Sequence, residues 1–536
     1  MYTERILLII TLTAVADAVQ IDTPLFLTAF IKENKTEEAR NASLVNADEF
    51  LNITSYSGFL TVDDKYDSNL FFWYFPVANK DLKTTPWIIW LQGGPGATSL
   101  AGLFDEMGPF ELDNDLNLKK RKYTWTDEFS MVYIDNPVGA GFSFTKHEEG
   151  YPNNMDMYTE NLYTALNQLI VLYPELSEAS LYIAGESYAG RYVPALAEKI
   201  MKEKESHINL QGIMLGNPIL DRESLIDYTR AFYSWGLIDE QGALAAKPLQ
   251  EQFHKEINEG NAKEAYKLRD DLLDKLQGIA EQSSLYNVIT PTEGLEHFVN
   301  FITSTKIRNL IHAGNVTFDF SNHEVHTHLV ADFLAPVSSK LLAVLEHYRV
   351  LIYCDELNLM FWLSKRNLFT SGQLDLTTPC VLNSEARRKR WNWSGKDEFL
   401  RSPRTPWWFN NSVAGFVKSG GRFTEVLVKG AGHLVPREKP AEAKTLISYF
   451  INGTALPKPP SYIIRPEDTP YYEEYFDLKT SKITPAMEVK SGLIASVVIN
   501  VLLLAGIVFG VYKFLKWKRE TDYFYSPLND GILTMS

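Results

Sequence analysis

The sequence predicts an α/β domain built on a mostly parallel central β-sheet. Short, uninterrupted apolar runs recur along the chain with longer segments between them, as expected of strands that are buried on both faces. Apolar residues make up 45% of the 536 residues, which is enough for a sizeable core. Two further apolar segments, one near each end of the chain, predict that this domain lies outside the cytosol.

Six apolar runs are the candidate strands of this sheet, and a hairpin is expected before them over residues 56–77, where polar pairs interrupt the apolar pattern. The six runs are Trp87–Leu91, Met131–Ile134, Leu181–Ala184, Ile213–Leu215, Val350–Tyr353 and Val426–Val428. Residues 156–172 have helical periodicity and end before Pro174. Residues 237–282 are rich in Leu, Ala, Lys and Glu, which indicates helices within an insertion that caps the site.

These features divide the chain into eight predicted segments. Many charges and six prolines between residues 455 and 490 indicate an extended stalk rather than a core. The segments are a signal peptide (1–18), an N-terminal segment (19–55), the first part of the core (56–217), the helical cap insertion (218–347), the second part of the core (348–454), the stalk (455–490), a transmembrane helix (491–512) and a cytoplasmic tail (513–536).

The two terminal apolar segments predict the compartment. Residues 6–15 follow Arg5 and precede small residues, which is typical of a signal peptide; an uncleaved anchor is the alternative. Residues 492–512 carry no charge and would form a helix of about 30 Å, the thickness of a bilayer core, the alternative being a buried core helix. Four basic residues between positions 513 and 519 predict a cytoplasmic C-terminus. We therefore expect a type I membrane protein of the secretory or endolysosomal pathway, with its large domain lumenal or extracellular.

Net charge, cysteine count and sequons add three further constraints, of which the sequons agree with this compartment. The net charge of −15 argues against nucleic acid as a partner. The only cysteines are Cys354 and Cys380, so disulfides cannot hold the fold together. Seven Asn-x-Ser/Thr sequons precede the predicted membrane span, and some are expected to carry glycans. They are Asn34, Asn41, Asn52, Asn315, Asn392, Asn410 and Asn452.

A serine follows the third of the six runs on a tight turn. The segment Gly185–Gly190 reads Gly-Glu-Ser-Tyr-Ala-Gly and leads from a predicted strand into a predicted helix. This is the nucleophile elbow of α/β-hydrolases, which lifts Ser187 above the carboxyl edge of the sheet. Small flanking residues are needed because backbone comes close there, and Ala189 replaces the usual glycine. The sequence therefore predicts an α/β-hydrolase fold with Ser187 as nucleophile.

A nucleophilic serine needs a base, and the base needs an acid that holds its tautomer. In α/β-hydrolases the chain order is serine, acid, histidine. His433 ends a Gly-rich loop after the last predicted strand, and Asp375 ends the turn at residues 371–375. Both positions fit that order, so we expect a triad of Ser187, Asp375 and His433.

The tetrahedral intermediate needs backbone N–H donors for its oxyanion. The run Trp87–Leu91 leads directly into Gln92–Gly96, whose glycines let the backbone approach a substrate. We expect the amides of Gly94 and Tyr188 to form the oxyanion hole. No metal is implied, because the sequence contains no His-Glu-x-x-His pair, and no cofactor is expected.

Four ordered motifs resemble the signatures of serine carboxypeptidases, and the similarity spans roughly residues 56–450. The motifs are Gln92–Gly96, Ile134–Ser143, Gly185–Pro194 and Gly430–His433. The form Leu-Gln-Gly-Gly-Pro-Gly is most similar to the vitellogenic-like branch. The resemblance implies a helical cap, acyl-enzyme chemistry and the release of single C-terminal amino acids from peptides in acidic compartments.

The resemblance also implies how a free C-terminus is recognised. Gln92, where the family usually has Asn, and the backbone of Gly93 would bind the substrate carboxylate, assisted by Glu106 and Glu186. Adjacent carboxyl groups can bind a carboxylate only if they share protons, since like charges raise one another's pKa. Below about pH 6 they would donate hydrogen bonds, and above it they would repel the substrate.

The sequence departs from the family pattern in one place that concerns the triad. Residues 354–370 separate the strand at Val350–Tyr353 from the turn that bears Asp375, whereas in the family the strand leads directly into that turn. A retained intron or a wrong splice junction would produce such an insert. Otherwise the insert must pack beside the active site, and the placement of Asp375 becomes uncertain.

Two shorter segments suggest processing or sorting. Tyr525–Leu528 has the tyrosine-x-x-apolar form that sorting adaptors recognise, so an adaptor is a candidate partner. The basic run Arg387–Arg390 is either a processing site or a solvated helix face.

Two other functions remain open alongside a serine carboxypeptidase. The chain could be a catalytically silent, membrane-anchored binding ectodomain, which the insert favours and the intact triad residue types oppose. It could also be an acyltransferase on the same scaffold, which would transfer the acyl group to an alcohol rather than to water.

Overall fold

The computed structural model describes residues 23–203, 205–220, 227–289, 297–356, 375–376, 378, 383–384, 387–388, 390–457 and 513. The chain divides into two units, Met1–Tyr462 and Ile463–Ser536, and the fold reported below is that of the first. In the described part of the chain, no helix is long and apolar enough to cross a membrane. The predicted signal peptide, transmembrane span and sorting motif, and most of the 354–370 insert, lie outside the described residues.

The strands form a ten-stranded sheet and a small two-stranded sheet, the latter made of β4 and β5. The described strands are β1 (Tyr56–Asp63), β2 (Ser68–Phe75), β3 (Trp87–Leu91), β4 (Phe110–Leu112), β5 (Leu118–Lys120), β6 (Ser130–Ile134), β7 (Leu181–Glu186), β8 (Leu210–Gly216), β9 (Arg349–Glu356), β10 (Thr405–Phe409), β11 (Ser412–Gly420) and β12 (Phe423–Lys429).

The large sheet has the order β1-β2-β6-β3-β7-β8-β9-β12-β11-β10. From β6 to β12 the neighbouring strands pair in parallel, whereas the outer strands on both sides pair antiparallel. Each of the six predicted apolar runs lies within one of the parallel strands, and β1 and β2 form the predicted hairpin. The expected α/β-hydrolase-like fold with a mostly parallel sheet is therefore confirmed.

Helices surround this sheet. The described α-helices are α1 (Leu27–Lys32), α2 (Thr36–Ala42), α3 (Met155–Leu172), α4 (Glu175–Glu178), α5 (Ala189–Lys202), α6 (Tyr228–Ser234), α7 (Glu240–Glu259), α8 (Ala262–Ala280), α9 (Val299–Ile302), α10 (Thr305–Leu310), α11 (His323–His328), α12 (Ser338–His347), α13 (Lys396–Arg401), α14 (Val435–Glu438) and α15 (Pro440–Ile451). A π-helical turn spans Gly102–Glu106.

The sheet separates two apolar cores, because alternate residues of each strand point to opposite faces. In β3, Ile89 belongs to the core that also contains apolar residues of α3, α5 and α12. Its neighbour Ile88 belongs to the other core, with apolar residues of α15. Burial on both faces explains why β3 is apolar throughout.

The interval predicted to be helical contains α7 and α8. The Asp239 side chain accepts a hydrogen bond from the Gly242 amide at the start of α7. Gly260 ends α7 with φ of 79°, a left-handed conformation that glycine adopts without a steric penalty. The expected helices are confirmed, and the role of residues 218–347 as a cap stays a prediction.

Two sequence-level expectations concern surface chemistry. All seven sequon asparagines are exposed, as an oligosaccharide acceptor must be. Cys354 is disulfide-bonded, and the chain's other cysteine, Cys380, lies outside the described residues.

Candidate active site

Ser187 occupies a sharp turn at the carboxyl end of β7. Its φ is 58°, a left-handed conformation that is uncommon for a residue other than glycine. The Ser187 amide donates a hydrogen bond of 3.0 Å to the Gly216 carbonyl at the end of β8. The residue is half-buried, and α5 starts two positions later. Strand, strained turn and helix thus reproduce the predicted nucleophile elbow.

The Gly-rich loop after β3 lies directly against this elbow. A Cβ atom at Gly93 would come within 2.7 Å of both the Ser187 Cβ and the Tyr188 amide nitrogen. Gly94 has φ of 107°, and a Cβ there would lie 2.7 Å from the Ala97 amide nitrogen. Glycine is therefore required at both positions because backbone, not a movable side chain, occupies the space. The loop is held beside the serine, where its amides can reach a substrate.

His433 and Asp375 form a buried pair. Nδ1 of His433 lies 2.6 Å from Oδ2 of Asp375, and both side chains are at most 2% exposed. Thr378 donates to the same carboxylate through its amide, at 3.1 Å, and through its hydroxyl, at 2.5 Å. A carboxylate held in this way fixes the imidazole tautomer and stabilises the imidazolium form. The structure thus brings the predicted acid and base together despite the insert.

Asn217 connects the loops that carry these residues. Its amide donates to the Tyr353 carbonyl of β9 at 3.0 Å, and its side chain donates to the His433 carbonyl at 2.7 Å. The preceding residue, Gly216, accepts the hydrogen bond from Ser187. β7, β8, β9 and β12 run in parallel, so their carboxyl ends meet at one edge of the sheet. The serine, the histidine and the acid all follow strands that end at this edge.

Two residues outside the predicted set hold the histidine loop. The Tyr286 ring packs edge-on against the His433 ring, with 4.8 Å between centroids, and the Tyr286 carbonyl accepts from the His433 amide at 2.8 Å. Oε2 of Glu438 accepts from the Gly432 amide at 2.7 Å. These contacts fix the backbone of the loop as well as the ring.

A pair of buried carboxyl groups lies on the other side of the elbow. Nε2 of Gln92 donates to Oε1 of Glu186 at 2.6 Å, and Oε1 of Gln92 accepts from the Trp90 indole at 2.8 Å. Glu106 ends the π-helical turn and is 1% exposed, as is Glu186. Its two carboxyl oxygens meet no side chain of the described residues with good hydrogen-bond geometry. Glu106 is therefore a carboxyl group shielded from solvent by the fold.

Burial and proximity shift the pKa values of this pair. Burial raises the pKa of Glu106 to about 7, although neighbouring Glu186 and Gln92 lower it somewhat. Burial also raises the pKa of Glu186 well above its ordinary value, and the charge of Glu106 raises it further. Both carboxyl groups are consequently protonated more readily than an exposed glutamate. At mildly acidic pH the pair can donate hydrogen bonds to an anionic ligand.

Sequence reasoning missed several residues of this site. Asn217 was detectable in principle, because it directly follows a predicted strand at the carboxyl edge of the sheet. Glu438 could also have been identified from the sequence, since it lies on the helical turn after His433. Nothing in the sequence indicated Tyr286, because it is far along the chain from its partner His433. Nothing indicated Thr378 either, because its contact with Asp375 depends on the shape of a turn that the sequence does not specify.

The basic run that follows Asp375 begins with a buried arginine, whereas its last residue, Arg390, is exposed. Arg387 is 5% exposed, and its guanidinium donates to Oε1 of buried Glu425 at 3.0 Å. Arg388 and Arg404 each lie 2.7 Å from Oε2 of the same carboxylate. The prediction of a solvated helix face is therefore wrong for Arg387. Its burial also opposes processing, because a protease needs an accessible chain.

Among the described residues, one group of three side chains could hold a metal ion: Glu148, Glu324 and His328. His328 Nε2 lies 2.8 Å from Glu148 Oε1, and both glutamates are exposed. None of the three belongs to the serine, histidine or carboxyl groups described above.

Comparison with known proteins identifies relatives over most of the chain. The peptidase S10 family model, described as serine carboxypeptidase, matches residues 46–453. The chain is 38% identical over 446 residues to the venom serine carboxypeptidase of Apis mellifera, which covers 80% of this chain and 91% of the relative. It is 37% identical over 450 residues to the probable serine carboxypeptidase CPVL of Homo sapiens, a match that covers 80% of this chain and 90% of the relative.

Two further similarities extend this comparison, one in sequence and one in fold. The vitellogenic carboxypeptidase of Aedes aegypti is 37% identical over 452 residues, covering 81% of this chain and 91% of the relative. Among solved structures, the prohormone-processing carboxypeptidase Kex1 of Saccharomyces cerevisiae superposes with a TM-score of 0.65. That comparison covers 77% of this chain and 96% of the yeast chain at 20% sequence identity, so it shows the shared fold alone.

Proposed function

Since this chain belongs to the serine carboxypeptidase family and has that family's activity, we propose that Ser187, Asp375 and His433 are its catalytic triad. The observation that carries this assignment is the buried 2.6 Å contact between His433 and Asp375 at the sheet edge where Ser187 turns. His433 takes the proton of Ser187 as the hydroxyl attacks the last peptide carbonyl, and then protonates the leaving amine. Water hydrolyses the resulting acyl-enzyme.

We assign the oxyanion hole to the amides of Gly94 and Tyr188. The close approach of Gly93 to the Ser187 Cβ holds the Gln92–Gly96 loop over the nucleophile, so the Gly94 amide is available on one side. Tyr188 directly follows Ser187 and supplies the second donor. Two donors fixed before the reaction stabilise the developing negative charge without reorganisation.

We propose that Gln92, Gly93, Glu106 and Glu186 bind the free carboxylate of the substrate. The hydrogen bond from Gln92 to Glu186 orients both side chains, and the raised pKa values of Glu106 and Glu186 keep protons on them under acidic conditions. A protonated carboxyl donates to the substrate carboxylate, whereas an ionised one repels it. Substrate binding should therefore weaken as the pH rises through about 7. This dependence favours an acidic working compartment.

Three measurements test the assignment together. A fluorophosphonate should label wild-type protein and fail to label Ser187→Ala. Asp375→Asn should lower kcat by about 10⁴, the effect expected when the base takes the wrong tautomer. A peptide with a free C-terminus should release one amino acid, and its C-terminal amide should be cleaved far more slowly. Labelling of Ser187→Ala at the wild-type rate would contradict the triad.

The same measurements separate the two alternatives. A silent binding ectodomain would neither react with the fluorophosphonate nor release an amino acid. An acyltransferase would react with the label but would form an ester with an added alcohol in preference to free acid. The family assignment, the close approach of the Gln92–Gly96 loop to the elbow and the buried pair of His433 and Asp375 favour the peptidase.

We also propose that the chain is a type I membrane glycoprotein of the secretory or endolysosomal pathway. The support is sequence-based: a signal peptide at 1–18, a charge-free stretch at 491–512 and basic residues after it. Between these segments we propose a cap at 218–347 and a stalk at 455–490. Extraction with alkaline carbonate should leave the chain in the membrane pellet, and a chain truncated before residue 491 should be released. Release of the full chain would contradict the anchor.

Glycosylation and sorting belong to the same proposal. The exposure of all seven sequon asparagines makes each accessible to the glycosylation machinery. Treatment with a peptide N-glycosidase should therefore lower the apparent mass of the mature chain. The tail motif Tyr525–Leu528 would bind a sorting adaptor, and Tyr525→Ala should slow internalisation from the cell surface. Internalisation at the wild-type rate would argue against the motif.

A further inference from the structure

A cavity of about 390 Å³ lies at the edge of the sheet opposite the candidate active site. It is bordered by the first residues of β9 and β12, whereas Asp375 and His433 follow the carboxyl ends of these strands. The eight residues of β9 alone separate the two ends by about 20 Å. The cavity therefore cannot be part of the peptide-binding site. Its volume lies within the range of about 300–1,000 Å³ that small-molecule sites occupy.

The wall of this cavity combines apolar surface with positive charge. Leu446, Tyr449, Phe450 and Leu456 contribute apolar side chains, and Arg349 and Arg422 contribute the charges. No acidic residue is among those that line it within the described part of the chain. Such a composition selects for an occupant that has an apolar body and a negative charge.

The two arginines differ in how they are held. Nη2 of Arg349 donates to the Tyr182 hydroxyl at 2.6 Å and to the Ile451 carbonyl at 3.0 Å, so this guanidinium is fixed in place. Its remaining N–H groups can still donate to a ligand, because a guanidinium has five. The Arg349 guanidinium also stacks on Phe450, 4.8 Å from the ring centroid, which joins the charged and the apolar walls.

Arg422 is exposed and makes no side-chain hydrogen bond or ion pair with the described residues. Glu346, a carboxyl group whose pKa the charge of Arg422 helps to lower, accepts hydrogen bonds from both the amide and the hydroxyl of Ser394. Arg422 can therefore turn toward an anion at the mouth of the cavity without losing an existing contact. An arginine pair can bind a carboxylate through several parallel hydrogen bonds.

We propose that this cavity is a binding site for a small amphipathic carboxylate, with its apolar body among Leu446, Tyr449 and Leu456 and its carboxylate between Arg349 and Arg422. The site is separate from the peptide-binding site and does not depend on the roles assigned to the triad. Because β9 and β12 lead from the cavity to the loops of Asp375 and His433, its occupation stabilises the scaffold beneath those loops.

Three matched probes test the proposal: 4-phenylbutyrate, 4-phenylbutan-1-ol and 4-phenylbutylamine. They share one apolar body and differ only in carrying a negative charge, no charge or a positive charge. Binding to the full chain in detergent-free lipid nanodiscs is measured by calorimetry and by the shift in Tm. The protein is first reacted with a fluorophosphonate and kept at about pH 7.5, where the carboxyl pair at the active site disfavours anions. The carboxylate should bind and raise the Tm; the alcohol should bind at least about tenfold more weakly, and the amine more weakly still.

Two variants locate the binding in the cavity. Arg422→Gln removes an exposed charge that makes no side-chain hydrogen bond or ion pair with the described residues. This variant should bind 4-phenylbutyrate about tenfold more weakly than the wild type, and its affinity for the alcohol should be unchanged. Ala455→Trp places a large ring at the exposed rim of the cavity. This variant should bind neither 4-phenylbutyrate nor the alcohol. The control is Lys119→Gln, which removes the charge of an exposed lysine on β5. It should change the affinity for neither 4-phenylbutyrate nor the alcohol. Equal affinity for the three probes, or full binding by Ala455→Trp, would overturn the proposal, as would no binding by any probe.

Discussion

The Tyr188 hydroxyl donates a 2.8 Å hydrogen bond to Oδ2 of Asp332, a buried carboxylate that also accepts from Arg191 Nε at 2.9 Å. Tyr188 is the residue whose amide we assign to the oxyanion hole. Asp332 lies far along the chain, between α11 and α12, and is 3% exposed. The orientation of the residue beside the nucleophile is thus set by a carboxylate from the interval predicted to form the cap.

This contact predicts that Tyr188→Phe lowers kcat several-fold. The substitution keeps the ring but removes its anchor, which lets the amide shift from the position that best stabilises the oxyanion. Tyr158→Phe is the matched control, because the Tyr158 hydroxyl lies 3.3 Å from the same Asp332 oxygen but belongs to α3. Both variants should lose about 1–3 kcal/mol of stability, and only Tyr188→Phe should lose kcat at saturating peptide. Equal kcat values would contradict the role of the contact.

The packing of Gly93 predicts a large effect from one added methyl group. In Gly93→Ala the new Cβ would meet the Ser187 Cβ and the Tyr188 amide at 2.7 Å, so the loop or the elbow must move. We expect kcat/KM to fall by about 10² or more, since small displacements of reacting groups have effects of that size. Gly278→Ala in α8 is the control, because no atom lies within 4 Å of its added Cβ. That variant should keep wild-type activity and gain up to about 1 kcal/mol of helix stability.

The carboxyl pair predicts a characteristic dependence of KM on pH. Between about pH 5 and about pH 7.5 the KM for a peptide with a free C-terminus should rise at least tenfold, while kcat changes less. The cause is the loss of protons from the pair: burial raises the pKa of Glu106 to about 7, and burial together with the charge of Glu106 raises the pKa of Glu186. A flat KM with a changing kcat would instead place the pH dependence in the chemical step.

The same pair predicts a contribution to the free energy of unfolding that is larger in acid than at neutral pH. A carboxyl group whose folded pKa is raised stabilises the fold fully below its ordinary pKa, 4.5 for Glu106, and loses that contribution as the pH rises through about 7. Glu106→Gln should flatten this decline by about 1–3 kcal/mol in urea unfolding measured across the window. Glu111→Gln, at an exposed position, serves as the control and should keep the wild-type slope.

Glu425 predicts the opposite dependence of stability on pH. Burial alone would raise its pKa, but the charges of Arg387, Arg388 and Arg404 together hold it well below its usual range. Its contribution is therefore present above pH 4.5 and is lost only in strong acid. Glu425→Ala leaves the buried Arg387 and the partly exposed Arg388 and Arg404 without their counter-ion, so we expect a loss of about 3–5 kcal/mol at neutral pH.

Asp397→Asn provides the comparison for Glu425. Its partner Arg401 is 3.8 Å away, and both side chains are more than half exposed. Removal of such a surface pair should cost less than about 1 kcal/mol in the same unfolding experiment. Similar losses for the two variants would mean that the Glu425 cluster is no stronger than a surface ion pair.

The sequence by itself determined the strands and identified Ser187 and His433 as candidate site residues. Continuous apolar runs such as Trp87–Leu91 have one stable location, a strand covered on both faces, so the parallel sheet follows from local pattern. Ser187 and His433 were identifiable because tight turns require small residues next to them, and such requirements leave a local signature. The four ordered motifs added the family, which the relatives bear out.

Only the tertiary structure decided which distant groups meet these residues. Nothing near Asp332 in the sequence indicates that it holds Tyr188, and the run at Arg387 resembles a solvated segment until Glu425 is placed beside it. The physical reason is that burial, charge pairing and pKa depend on neighbours that the fold brings together, not on sequence spacing. The pairing of Asp375 with His433 across the insert is a fact of this kind.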